Sequence, residues 1–269
     1  MDNSTHSIPH DTSNMLAVSI GNSITQLGLF SGDEHVATWC VTTPTQLTEC
    51  EAKTILMNFA ASLGHGSKLS FTGSIVASVA PTITDTWVSA LASESHQRPL
   101  VVGPGLKSGI KLGYSNPSEL GADRIAGMVG ARDLFGSPLI LINLETTTTF
   151  EVITDNGEFA GGIIAPGLET SASRLSSAAA KIPVVDLKIP TTAIGKSTRA
   201  AVQAGVVLGE VARIDGLVHV IWQELGYNTK VVATGSNASV IAAISTTINE
   251  TVNDVVLHGL HLLYKRNTK

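Results

Sequence analysis

The stretch that decides the fold is "LILINLETTTTFEVITDNGEFAGGIIAP", residues 139–166. It opens as an apolar run of buried-strand character and breaks at Glu145 into four threonines. It then resumes as "TTFEVIT", turns at "DNG" and closes on "EFAGGIIAP". Three β-rich segments joined by tight turns read as a meander. Residues 15–43, "MLAVSIGNSITQLGLFSGDEHVATWCVTT", repeat that plan. Asn143 follows Ser19 by 124 residues, and Asp155 follows Ser31 by the same 124. Equal spacing at both turns marks an internal duplication, because two unrelated hairpins would share it only by chance.

Outward from the meanders, helical patterns cover 46–64 and 168–180. The runs "SIVASVAP" (74–81) and "KVVATGSNAS" (230–239) each lead into a helical segment, as a strand feeding a crossover helix does. The pattern predicts an α/β protein of two similar domains, over 15–118 and 119–269, with a final helix at 252–266 packing back across. In "VGPGLKSGIKLGYSNPSELGADRIAG" (102–127), glycines give a flexible loop that ends at a helix beginning near Ser118. Ser118 caps it in this reading, with Asp123 and Arg124 in its early turns.

Composition excludes several function classes. Hydrophobic residues make up 43% and charged residues 14%, and the net charge of −5 offers no electrostatic footprint for nucleic acid. Cys40 and Cys50 are the only cysteines and belong to no metal-type cluster, which suits a reducing cytoplasm. Residues 1–14 are polar, lack an apolar segment and read as a disordered extension rather than a signal peptide. No apolar run reaches the roughly 18 residues of a membrane span. Of the eight histidines, those at 35, 65, 96, 258 and 261 form no catalytic or metal spacing; His258 and His261 share a face of the final helix, where packing or solvent is the default.

A tight turn of small residues exposes backbone N–H groups and lets phosphate approach without a side chain in the way. Two such turns facing each other can hold the β- and γ-phosphates of a nucleotide, with an acid at the strand end to organise a divalent metal. By composition alone, Gly21, Asn22, Ser23, Thr148 and Thr149 read first as an ordinary turn and ordinary β-branched strand residues. An Asp–Arg pair at a helix start is by itself a dipole partner with its local salt bridge.

The ordered series "SIGNSITQLGLF", "WCVTT", "VASVAP", "VGPGLKSGIKLGYSNPSELGADRIAG", "TTTTFEV", "GGIIAPGL", "IGKSTRAAVQAG", "VVATGS" and "LHGLHLLYKRN" resembles the type III pantothenate kinases, from about Met15 to Asn267. The resemblance implies two duplicated actin-like (ribonuclease H-like) α/β domains with a cleft between them, and a homodimer. It implies phosphorylation of pantothenate by ATP with Mg²⁺, and a monovalent cation as a further cofactor. Tyr114, Gly121, Asp123, Arg124 and Thr198 match the family's pantothenate pocket, with Asp123 as general base and Thr198 reaching it across the dimer interface. Gly21, Asn22, Ser23, Thr148, Thr149 and Gly235 match nucleotide positions.

The phosphate side departs from the pattern. Ser19 and Asn143 stand where the family has acids, Glu145 and Ser236 where it has glycine, and Glu151 where Asp is usual. Neutral side chains cannot offset a divalent cation as two carboxylates would. A carboxylate about 4 Å from a phosphate charge costs on the order of 4 kcal/mol at an effective dielectric near 20. Glu145 shares a strand face with Asn143, so a relocated metal ligand is the alternative reading for it. Three functions are therefore in competition: a kinase with weakened ATP and metal handling, a catalytically inactive paralogue that binds pantothenate or a partner, and an enzyme with another phosphate donor or acceptor.

Overall fold

The structure, a computed structural model, describes residues 14–64, 66, 69–179 and 181–268. Of the expected N-terminal extension, residues 1–13 lie outside the described residues, and Asn14 already belongs to the first strand. The chain divides into two compact units. Among the described residues, one runs from 14 to 107 and includes 121–123 and 260–268, and the other comprises 108–120 and 124–259.

In the first unit, strands β1 (Asn14–Ile20), β2 (Ile24–Ser31) and β3 (Glu34–Thr42) form the expected antiparallel meander. Helix α1 (Glu49–Ser62) follows. Thr48 starts it with a capping box, accepting the Glu51 amide at 3.3 Å while the Glu51 carboxylate accepts the Thr48 amide at 2.8 Å. Strand β4 (Gly73–Ser78) then pairs parallel with β1, α2 (Pro81–Ser95) crosses back, and β5 (Leu100–Val101) pairs parallel with β4. The sheet order is β3-β2-β1-β4-β5. Leu16, Val18 and Ile20 of β1 pack with Phe59 of α1 and Trp87 of α2, as a central strand under helices requires.

The second unit repeats this order. A 3₁₀ turn (Pro117–Glu119) and helix α3 (Ala122–Phe135) lead to β6 (Leu139–Leu144), β7 (Thr147–Ile153) and β8 (Phe159–Pro166). Helix α4 (Leu168–Ala178) and the long α5 (Thr198–Leu225) precede β9 (Lys230–Thr234), α6 (Ala238–Ala242), β10 (Glu250–Thr251) and α7 (Val255–Asn267), whose residues from Leu260 onward are counted in the first unit. The sheet runs β8-β7-β6-β9-β10, with β6, β9 and β10 parallel. Two sheets of the same connectivity are what a duplicated sequence must give. One face of the second sheet, with Ile140, Ile142, Phe150 and Val231, packs on Ile214 and Val218 of α5. On the other, Gly127 of α3 lies against Leu141, where an added Cβ would sit 3.3 Å from Leu141 Cδ2.

One local reading is corrected. Ser118 does not cap α3; it sits in the 3₁₀ turn capped by Asn116, whose Oδ1 accepts the Ser118 hydroxyl at 2.6 Å and amide at 3.2 Å. Leu120 is extended (ψ 121°), so the α-helix starts only at Ala122. Of the packing and solvent alternatives for His261 the structure has packing: the ring is buried, stacks 4.5 Å from the Phe30 ring and contacts Asp33 at 3.2 Å. No disulfide joins Cys40 and Cys50, both exposed.

Asp215 of α5 anchors the segment between α6 and β10. Its carboxylate accepts the hydroxyls of Ser245, Thr246 and Thr247 at 2.6, 2.7 and 2.8 Å, and the amides of Thr246 and Thr247. Burial pushes the carboxyl upward, but these hydrogen bonds outweigh it and lower its pKa from 3.8 to about 2. The folded state binds its proton less readily than the unfolded chain, so the stabilisation is present above pH 3.8 and is lost as pH falls through about 2. We expect Asp215→Ala to cost about 1–2 kcal/mol near neutral pH, discounted for solvent exposure, and to flatten the urea midpoint against pH over that acid window. Parallel acid profiles of variant and parent would remove this role.

Candidate functional site

Arg124 lies in the first turn of α3, one residue after Asp123, and its guanidinium faces the second sheet. Its Nε donates to Glu151 Oε1 at 2.8 Å and its Nη2 to Oε2 at 2.5 Å, a fork-on-fork pair with the Glu151 side chain 1% exposed and that of Arg124 10%. Burial disfavours the charged guanidinium, but hydrogen bonding and charge from Glu151, then Tyr114, hold its pKa above the ordinary value. Gly162 of β8, which has no Cβ, lies beside the pair. An added one would sit 1.9 Å from Phe150 O and 3.2 Å from Arg124 Nη2.

Tyr114 reaches the same guanidinium through the edge of β8. The Gly113 amide donates to Phe159 O at 2.8 Å and the Phe159 amide to Lys111 O at 3.0 Å, so residues 111–113 run beside the strand start. The Tyr114 ring stacks on Phe159 at 5.6 Å, and Arg124 Cζ lies 5.9 and 5.8 Å from the two ring centroids. Tyr114 and Arg124, both expected in the pantothenate pocket, are thus together. The residue that sequence reasoning missed is Glu151, read only as a variant of a family Asp; an acid inside the apolar run "TTFEVI" was the available signal. Asp123 and Gly121 are half-buried.

Thr198 is placed elsewhere. It is the exposed first residue of α5, after Ser197, whose hydroxyl accepts the Ala200 amide at 3.2 Å. It borders a cavity of about 630 Å³ with Leu175, Lys196, Ser197 and Val202, whose lining includes neither Tyr114 nor Arg124. Ile194 nearby in sequence is 82% exposed.

In the first unit, the Gly21 amide donates to Ile24 O at 3.0 Å, closing the β1–β2 turn, and a Cβ there would lie 2.9 Å from that oxygen. Asn22 and Ser23 form the exposed tip, and the Ser19 side chain is buried at the end of β1.

The equivalent hairpin of the second unit separates its threonines by strand alternation. Thr148 points into the core, where its hydroxyl donates to the buried Glu210 of α5 at 2.6 Å; Glu210 also binds Arg213. Thr149 pairs with Asn143, which pairs in turn with Thr234, so these three share the face that carries Glu151. The Thr149 hydroxyl is buried and has no partner among the described residues, a polar atom pointing to a ligand or water on this face. Gly235 takes φ +100°, and a Cβ there would lie 2.6 Å from Leu144 O.

Glu145 is not a strand residue continuing β6. It stands in the turn, with its amide donating to Thr147 O at 3.1 Å, and its carboxylate accepts the Ser236 amide at 2.7 Å and the Ser236 hydroxyl at 3.2 Å. Among the described residues no group of three or more His, Cys, Asp or Glu could hold a metal ion. With Ser19 and Asn143 neutral and Glu145 engaged, the residues present do not fit a metal ion held by the protein. No helix among the described residues is long and apolar enough to cross a membrane.

The family model for "Type III pantothenate kinase" matches residues 15–220. A type III pantothenate kinase of Moorella thermoacetica is 37% identical over 254 residues, covering 94% of this chain and 100% of that protein. One from Brevibacillus brevis is 37% identical over 253 residues, covering 94% and 99%. Among solved structures, the ethanolamine utilization protein EutJ of Carboxydothermus hydrogenoformans superposes with TM-score 0.57 at 14% identity, covering 95% of this chain and 92% of that one. Component A of (R)-2-hydroxyglutaryl-CoA dehydratase from Acidaminococcus fermentans gives 0.51 at 13%, covering 94% and 97%. At such identities the likeness concerns the fold alone, the actin-like α/β architecture of two domains.

Proposed function

The chain belongs to the type III pantothenate kinase family, and on that premise we propose that it phosphorylates pantothenate with ATP, its nucleotide and metal handling weakened by Ser19, Asn143 and Glu145. The observation that carries this reading is the Arg124 guanidinium, locked by Glu151 and flanked by Tyr114 and Phe159. A permanently charged guanidinium held in one orientation suits the carboxylate of pantothenate, and fixing it before binding lowers the ordering cost. Asp123 takes the proton of the pantothenate hydroxyl while that oxygen attacks the γ-phosphorus; the bond to the β-phosphate breaks and ADP leaves. Thr149 and the backbone around Gly21 and Gly235 contact the donor, together with Asn22 and Ser23; Thr148 supports them from the core.

Thr198 and Gly121 complete the pantothenate pocket in a homodimer, Thr198 from the neighbouring copy. The exposed Ile194 and the cavity at the start of α5 support a shared surface there. The protein acts in the cytoplasm, with neither nucleic acid nor membrane as partner.

The test is calorimetric titration with pantothenate and, separately, with ATP and Mg²⁺, followed by assay of 4′-phosphopantothenate; sedimentation of the same preparation reads the dimer. We expect pantothenate binding, weak ATP binding and slow product formation. Pantothenate binding with no product would instead establish an inactive binding paralogue, a reading favoured by the engaged Glu145 carboxylate. Absence of pantothenate binding would overturn both.

A further inference from the structure

Glu145 and Ser236 are 91 residues apart in sequence, and each stands where the family resemblance implies glycine. They meet. One carboxylate oxygen of Glu145 accepts the Ser236 amide at 2.7 Å, the other the Ser236 hydroxyl at 3.2 Å, and Asn237 Nδ2 donates to that hydroxyl at 3.4 Å. The loop is seated from below as well. The Asn237 amide donates to Leu144 O at 3.4 Å, and Gly235 lies so close to the same carbonyl that no Cβ would fit. A single clasp therefore ties the β6–β7 turn to the loop after β9, with a carboxylate consuming a backbone donor.

We propose that this clasp is a specificity element that sets the affinity for the phosphate donor, by holding a negative charge and an occupied amide where a polyphosphate would bind. The inference rests on the reading of the β6–β7 turn and the Gly235 loop as the nucleotide side of the site. A nucleoside triphosphate must either displace the carboxylate from Ser236 or lie beside it, and both reduce affinity. A donor carrying less charge at this point is affected less. The two substitutions thus act together: glycine at 236 would leave Glu145 without the hydroxyl, and glycine at 145 would free the Ser236 amide.

ATP with Mg²⁺ is titrated into the full-length protein and its Glu145→Gln and Glu145→Gly variants, with pantothenate as the control ligand. Glu145→Gly is expected to tighten ATP binding at least about tenfold, and Glu145→Gln by less, since it loses the charge and keeps an acceptor for the Ser236 amide. Glu145→Gln is isosteric, so it carries the test should the glycine variant fail to fold. Equal ATP affinity in parent and variants would overturn the clasp while leaving the proposed function standing. Tighter ATP binding in the variants without pantothenate binding or product would support the clasp and overturn the proposed function. No ATP binding by any of them would overturn the clasp and count against the nucleotide side of the proposed function.

Discussion

Glu151→Ala is expected to lower the unfolding free energy by about 3–5 kcal/mol and to abolish measurable pantothenate binding. The size follows from burial. With the carboxylate gone, the Arg124 guanidinium, whose side chain is 10% exposed, keeps its charge and loses the partner that offset its desolvation. It also loses its orientation, because the two forked hydrogen bonds fix it between the Tyr114 and Phe159 rings. Urea denaturation reads the first effect and calorimetry the second. Glu151→Asp separates them, since it keeps the charge on a stem one methylene shorter and should retain more stability than affinity. Unchanged pantothenate affinity in a folded Glu151→Ala protein would take Arg124 out of the substrate site.

Asp123→Asn should reduce the rate of 4′-phosphopantothenate formation by about 10²–10⁴-fold and leave pantothenate affinity within a few-fold of the parent. Asparagine matches the size of aspartate and still accepts a hydrogen bond, yet it cannot take the proton that the attacking hydroxyl releases. Asp123 and Arg124 share the first turn of α3, so a purely structural role at the helix N-terminus predicts something different: a loss of about 0.3–1 kcal/mol of stability with the rate unchanged. Comparing single-turnover rates with unfolding midpoints decides between the two. A rate equal to the parent's would remove Asp123 as the base.

The duplication needed no structure to be seen. Its carriers are local: period-2 alternation, turn chemistry at "GNS" and "DNG", and the equal spacing of Ser19 to Asn143 and Ser31 to Asp155. The structure returns both meanders with the same strand order. Helix α5 was the element not legible. Gly205, Gly209 and Gly216 punctuate its 28 residues, and burial of Val207, Val211, Ile214 and Val218 overrides their poor propensity. Ser118 failed as a helix cap because Asn116, two residues earlier, supplies a closer acceptor and ends its own short turn first.

What the amino-acid sequence determined by itself, then, is the α/β class, the doubling and the family, since these depend on patterns only a few residues long or on an ordered series of them. Tertiary structure alone decided which side chains meet. Sheet register turned Thr148 to Glu210 and Thr149 to the opposite face. It brought Glu151 to Arg124 from 27 residues away and Glu145 to Ser236 from 91. The physical reason is that the free energy of a carboxylate or guanidinium is set by the few donors and charges within hydrogen-bond reach. Chain folding, not sequence proximity, chooses those neighbours.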